Sequence, residues 1–454
     1  MLTPAEYELP DCHLLESPSL IVPISPTPNH TLRLSNLDDQ KFLRFSIKYL
    51  YLYQQSVPAE TLKHHLSRVL VDYYPLAGRL REDPGYERKL MVDCNGKGAV
   101  FAEAFMDATV GEFLESSDRP NKSWRKLLYR VDSDSFLGVP PLVVQVTNLR
   151  CGGMILCTAI CHCLCDGIGT SQFLRAWAHS TTTTTEIPVL PSPSHPRHVF
   201  QSRSPPHPTS PTPAYTRTNP NHHPRLPAFL QSHHPLVPVS ATFTAPDLLL
   251  LKKRCCPSSS LKFTSFEALA AHTWLSWVRS LSPPPHLKVK LLFSINVRGR
   301  IPSSPPDAGF YGNAFVLACA QAAARDLTDS IGLGDAARLV QRAKDAVDEE
   351  YVRSVVDLLE DESAGTDMGA SLVITQWARL GLEEVDFGRG RPLHMGPLSS
   401  DIYCVFLPVA GDARAVRVLV SVPAFCAGKF KSYMSDYSII TGDGDGNGNV
   451  IDDG

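Results

Sequence analysis

The sequence predicts an α/β protein of two domains, each a mixed β-sheet flanked by helices, with a cleft between them. Three observations carry this. At 454 residues the chain exceeds one ordinary core and suits two units of about 200 residues each. Strand-like apolar runs and runs of helical spacing occur in both halves. Between the halves, from about Thr181 to Ser240, five threonines in a row are followed by 14 of the chain's 38 prolines. Such a stretch forms neither a regular helix nor a central strand, so it is expected to be a long, mobile crossover or linker. It also holds seven of the 16 histidines, whose irregular spacing favours a solvated loop over a metal tract.

The elements follow in order. Leu62, Leu66, Val69 and Leu70 have helical spacing, and the segment ends in a turn at Pro75 and Gly78. Strand-like runs cover Lys89 to Val92, Gly98 to Ala102 and Leu142 to Thr147. Met154 to Cys161 is apolar enough for a strand buried on both faces, and Gly167 to His179 reads as the helix after it. In the second half Phe266, Leu269, Ala270, Thr273, Trp274 and Trp277 recur at helical spacing, and Lys288 to Val297 reads as a strand. Ala336 to Leu359 is expected to be one long amphipathic helix, followed by strands at Ser371 to Trp377, Ile402 to Val409 and Ala415 to Val422. The expected division is 1–180, a linker at 181–240, 241–440, and a disordered acidic Gly-rich tail at 441–454.

Composition excludes several function classes. A formal net charge of -3 gives no global basic field, so nucleic acid is not an expected partner. The N-terminus lacks a basic n-region with an apolar core, and no stretch of about 18 apolar residues occurs; a cytosolic monomer without a membrane span is expected. In a reducing compartment the 12 cysteines read as small buried hydrophobes. Cys161, Cys163 and Cys165 lack the spacing of a zinc site, since alternation on an extended segment sends neighbours to opposite faces. Asp443, Asp445 and Asn447 imitate the start of a calcium loop, but position 12 of that loop is Gly454, not a bidentate glutamate. No metal site is assigned.

The chemistry-bearing pattern is His162, four residues before Asp166-Gly167, at the end of the buried strand. By itself the pattern is unspecific. A core histidine satisfied by a backbone carbonyl and an ordinary Asp-Gly turn produce the same letters.

The order of further motifs raises it. His162 to Gly167 matches HxxxDG, and Asp386-Phe387-Gly388-Arg389-Gly390 matches DFGWG with arginine in the tryptophan place. Between them lie Asn296-Val297-Arg298-Gly299-Arg300 and Gly309-Phe310-Tyr311-Gly312-Asn313, the latter with its aromatic order inverted. Tyr74 to Leu80, Thr264 to Glu267 and Ile374 to Trp377 add to the set. From about Leu32 to Met434 the chain resembles the plant BAHD family of acyl-CoA-dependent acyltransferases.

That resemblance implies two chloramphenicol-acetyltransferase-like domains with a channel at their interface. Acyl-CoA enters as co-substrate from one mouth, a small-molecule acceptor from the other, and no resident cofactor is needed. His162 is then the general base, since an imidazole can take a hydroxyl proton at neutral pH. Thr375 and Trp377 are carried over to the place where the oxyanion develops. Asp166 is carried over as a partner of Arg298 that shapes the His162 loop, and Asp386 and Gly388 as structural support away from the reacting atoms. The expected reaction moves a hydroxycinnamoyl or other aromatic acyl group to an alcohol, rather than an amine, of a plant specialised metabolite. A non-catalytic accessory protein in lipid elongation and a condensing domain with carrier-bound donors are the alternatives.

Overall fold

The structure, a computed structural model, describes residues 8–436 apart from 87–88, 116, 134, 183–191, 218–234, 257–261, 301–308 and 400–402. The first half builds β1 (Ser46–Tyr53), α1 (Ala59–Asp72), β2 (Ala99–Met106), β3 (Leu142–Leu149), β4 (Met154–Cys161) and α2 (Gly167–Thr182). β2 and β3 run parallel, while β3 with β4 and β4 with β1 run antiparallel. All eight residues of β4 are buried, which is why its sequence lacks polar alternation. α1 turns Leu62, Leu66, Val69 and Leu70 inward, and Trp177 of α2 donates from Nε1 to the Leu62 carbonyl at 3.1 Å. The two helices therefore form one layer on the sheet.

The second half builds β5 (Leu236–Phe243), α3 (Ala245–Cys255), α4 (Ser265–Leu281), β6 (Lys288–Asn296), β7 (Phe315–Ala323), α5 (Leu333–Asp345) and α6 (Glu349–Leu358). β8 (Ser371–Gln376), β9 (His394–Pro397), β10 (Cys404–Val409), β11 (Asp412–Pro423) and α7 (Ala427–Ser435) follow. Its six-stranded sheet has the order β5-β11-β10-β8-β6-β7, with β6, β8 and β10 parallel. α4 begins at a capping box in which Thr264 and Glu267 exchange hydrogen bonds, and nearly all its length is buried under this sheet.

Three differences from the sequence reading have physical causes. The expected helix at Ala336 to Leu359 is two helices, because Asp348 accepts from the Tyr351 amide and starts α6 anew. β9, from the second half, pairs antiparallel with β1 and completes the first sheet, so the sheets do not divide at the expected boundaries. In the crossover, residues 192–217 are packed: Arg197 is 2% and Phe200 1% exposed, and Tyr215–Arg217 pairs with Ala364–Thr366. Proline limits backbone pairing, not side-chain burial, so a Pro-rich strap can still be anchored. Residues 183–191 and 218–234 of the crossover, and the 441–454 tail with Asp443, Asp445 and Asn447, lie outside the described residues.

Candidate active site

His162 sits at the β4–α2 junction. Its amide donates to the Phe45 carbonyl at 2.8 Å, and its own carbonyl accepts from Asn313 Nδ2 at 2.7 Å. The ring stands edge-on to Phe45, with centroids 5.4 Å apart, and 6.1 Å from the ring of Phe315. Burial lowers its pKa below the ordinary value near 6.5; its own backbone carbonyl, Asp166, Asn313 and Asp38 oppose that shift. The imidazole is thus kept neutral near pH 7, and it lines a channel of about 880 Å³.

Asp166 does not serve the imidazole. Its two oxygens take a bidentate pair from Arg298, at 2.8 and 2.9 Å, and the amides of Ala314 and Gly169 at 3.1 and 2.9 Å. Arg298 also donates to the carbonyls of Phe310 and Gly312, and both charges are at most 5% exposed. A pair this enclosed stands only because every hydrogen-bonding direction is filled. The ion pair ties the start of α2 to the 309–313 turn. Contact there is so close that a Cβ on Gly169 would lie 1.8 Å from the Tyr311 carbonyl oxygen.

A second buried cluster holds the other side of the junction. Asp38, 0% exposed, accepts from Arg197 Nη1 at 2.7 Å, from the Asn313 amide at 2.9 Å and from Asn313 Nδ2 at 3.0 Å. Arg197 Nη2 reaches the Leu164 carbonyl at 2.9 Å. A Cβ on Gly312 would strike the Arg197 guanidinium at 1.7 Å, so glycine makes room for the strap's arginine.

Strand register builds the channel floor. Thr375 of β8 is opposite Val405 of β10, and Ile374 is opposite Phe293 of β6, so Thr375 and Ser294 share a face. Ser294 and Asn296 are opposite Leu317 and Phe315 of β7. All of these side chains except the inward Phe293 line the channel, giving a row of neutral polar groups, Thr375, Ser294 and Asn296, in an apolar frame. Trp377 also lines it, its ring stacked on Tyr49 at 5.1 Å. At one stretch Lys344 pairs with Glu267 beside the first turn of α4, and Arg300 Nη1 reaches the Val347 carbonyl nearby at 3.2 Å. Cations and a helix N-terminus make this the stretch suited to an anionic group.

The remaining sequence-marked residues lie elsewhere. Asp386 Oδ1 accepts the amides of Gly388, Arg389 and Gly390, closing a surface turn, while Phe387 packs edge-on against Trp177 and Tyr53. Arg389 is exposed, so the turn needs no tryptophan to close. Among the described residues no group of three or more side chains could hold a metal ion. No described helix is long and apolar enough to cross a membrane.

The family model described as the Transferase family matches residues 15–437. The chain belongs to the BAHD family of acyl-CoA-dependent acyltransferases. It is 34% identical to alcohol acyl transferase 1 allele GSa of Malus domestica, over 91% of each chain. With benzyl alcohol O-benzoyltransferase of Petunia hybrida it shares 33% over 94% of each chain. The fold matches that of TRI101 from F. graminearum, solved with coenzyme A and deoxynivalenol, at a TM-score of 0.72 and 14% identity, over 89% of this chain and 97% of that one. Against this BAHD frame, sequence reasoning named His162, Asp166, Arg298, Thr375 and Trp377 but gave no role to Asp38, Arg197, Ser294 or Asn296. Asp38 had a weak local signal, a carboxylate three residues after Ser35, whose amide and hydroxyl it accepts. Arg197 had none.

Proposed function

We propose that this chain transfers an aromatic acyl group, of the hydroxycinnamoyl or benzoyl kind, from coenzyme A to an alcohol of a plant specialised metabolite, with His162 as general base. Acyl transfer to an alcohol is the activity named for its relatives, alcohol acyl transferase and benzyl alcohol O-benzoyltransferase. Those names do not favour the accessory-protein alternative. The observation that carries the mechanism is the His162 imidazole lining the channel while both oxygens of the nearby carboxylate are taken by Arg298 and two backbone amides.

The steps follow from that placement. His162 takes the acceptor's hydroxyl proton as the oxygen attacks the thioester carbonyl. The C–O bond forms and the carbonyl electron pair moves to oxygen, giving an oxyanion beside the Thr375 hydroxyl. Collapse expels the coenzyme A thiolate, which recovers the proton from the imidazolium. The pantetheine arm and phosphates would run past the polar row to Lys344, Arg300 and the start of α4. An aromatic donor or acceptor suits the ring-lined stretch of Phe45, Tyr403, Phe315 and Trp377. Asp166 is the one acidic side chain among the described lining residues, and it is paired; a cationic amine would find no counter-ion, which supports an alcohol.

Thiol release with a panel of benzoyl-, hydroxycinnamoyl- and acetyl-CoA, each with benzyl and aliphatic alcohols, tests this reading. Faster turnover with the aromatic donors is expected. Turnover confined to acetyl-CoA would overturn the donor assignment, and no turnover with any pair would overturn the activity.

A further inference from the structure

The second sheet splits beside Thr375. The ladder joining β6 to β8 ends at Phe293 and Ile374, although β6 continues to Asn296 and β8 to Gln376. Residues 373–377, from both faces of β8, line one channel together with Ser294 on one side and Phe266 on the other. The channel thus reaches through the gap between these strand ends to the side covered by α4. Phe266, in the first turn of α4, stands on that side, its ring 5.5 Å from Phe293 and 6.0 Å from Phe406. Those two rings belong to the strands flanking β8, so Phe266 spans β8 behind Thr375.

The ring is held firmly. Phe293 and Phe406 are buried, and the capping box fixes the backbone: the Thr264 amide donates to Glu267 at 2.7 Å and the Glu267 amide to the Thr264 hydroxyl at 3.2 Å. Successive helix residues point about 100° apart, so the Glu267–Lys344 pair and the Phe266 ring take different sides of this turn. Three groups have to part at the reacting carbonyl carbon. The oxyanion turns to Thr375, the sulfur arm follows Asn296 towards Lys344 and Arg300, and the acceptor comes from the His162 side. The acyl group is left with the gap, where Phe266 and Ile374 are apolar and Gln376 is the polar member of that face.

We propose that the donor's acyl group enters this gap and that Phe266 ends it, so that one ring determines which acyl groups are accepted. To an aromatic acyl group the ring is an edge-on or offset partner; to a long saturated chain it is a wall. The inference rests on the proposed acyl transfer, but acyl-CoA binding is readable without turnover, so the two ideas fail separately.

The test compares wild type, Phe266→Leu and Phe266→Ala with benzoyl-CoA, decanoyl-CoA and free coenzyme A, by calorimetric binding and by turnover with benzyl alcohol. In Phe266→Ala the kcat/KM ratio of decanoyl- to benzoyl-CoA should rise roughly 10- to 10²-fold, with the ratio of their affinities moving the same way. Phe266→Leu should shift both ratios in the same direction by less, and it decides the question if the alanine variant does not fold. Affinity for free coenzyme A and KM for benzyl alcohol should stay near the wild-type values. A folded variant with the wild-type donor ratios would overturn the proposal. So would a loss of affinity for free coenzyme A as large as for benzoyl-CoA, which would place Phe266 on the pantetheine arm. Binding without turnover would overturn the activity and leave the affinity ratios to decide on Phe266; a wild type that bound no acyl-CoA would overturn both.

Discussion

Replacing Asp166 by alanine separates a structural carboxylate from a proton relay. In the structure Asp166 accepts four hydrogen bonds, two from Arg298 and one each from the Gly169 and Ala314 amides. Arg298 would keep its contacts to two carbonyls and to Asn296 but lose its only counter-charge among the described residues, in a site where it is 4% exposed. Breaking a buried pair by removing one partner costs about 3–5 kcal/mol. With an unfolding entropy of about 2.1 cal/mol/K per residue over the whole chain, that corresponds to a Tm lower by roughly 3–5 °C. The assay is thermal unfolding followed by circular dichroism, on Asp166→Ala and on Asp166→Ala combined with Arg298→Met. The double variant should be more stable than the single one, since no unpaired charge stays behind. An Asp166→Ala protein that melts with the wild type yet loses turnover would refute the structural role and favour a relay.

Two further expectations concern the reaction itself. Because burial lowers the His162 pKa, and only the neutral ring accepts a proton, kcat/KM should fall on acidification through a single ionisation below about 6.5 and stay flat from there to neutrality; a midpoint well above 7 would contradict the buried, neutral imidazole. Thr375→Val keeps the side chain's shape and removes its hydroxyl, so kcat should drop by roughly 10²-fold with acyl-CoA affinity intact, and unchanged kcat would remove Thr375 from the oxyanion's surroundings.

Much of the fold was legible because local pattern and tertiary role agree: the unbroken apolar run of β4, the helical spacing in α1 and α4, and the His162 to Gly167 junction. What escaped depends on distant pairing. Ser294 and Asn296 look like ordinary strand residues until the register with β7 and β8 puts them on the face of Thr375. β9 is four residues long and pairs across the whole chain with β1, a contact with no local signal. Arg197 was hidden by its surroundings, since a Pro-rich composition speaks of the backbone and says nothing of one buried guanidinium. The helix break before α6 was readable in principle, as Asp348 followed by two glutamates marks a helix start.

His162→Ala tests the central claim most directly. The measurement is turnover together with coenzyme A affinity, with circular dichroism to check the fold. Cations and polar groups on other elements line the channel stretch assigned to the coenzyme, so binding should survive while kcat falls roughly 10²- to 10⁴-fold. A folded His162→Ala enzyme that turns over near the wild-type rate would contradict the account, and would make the histidine a packing residue rather than the base.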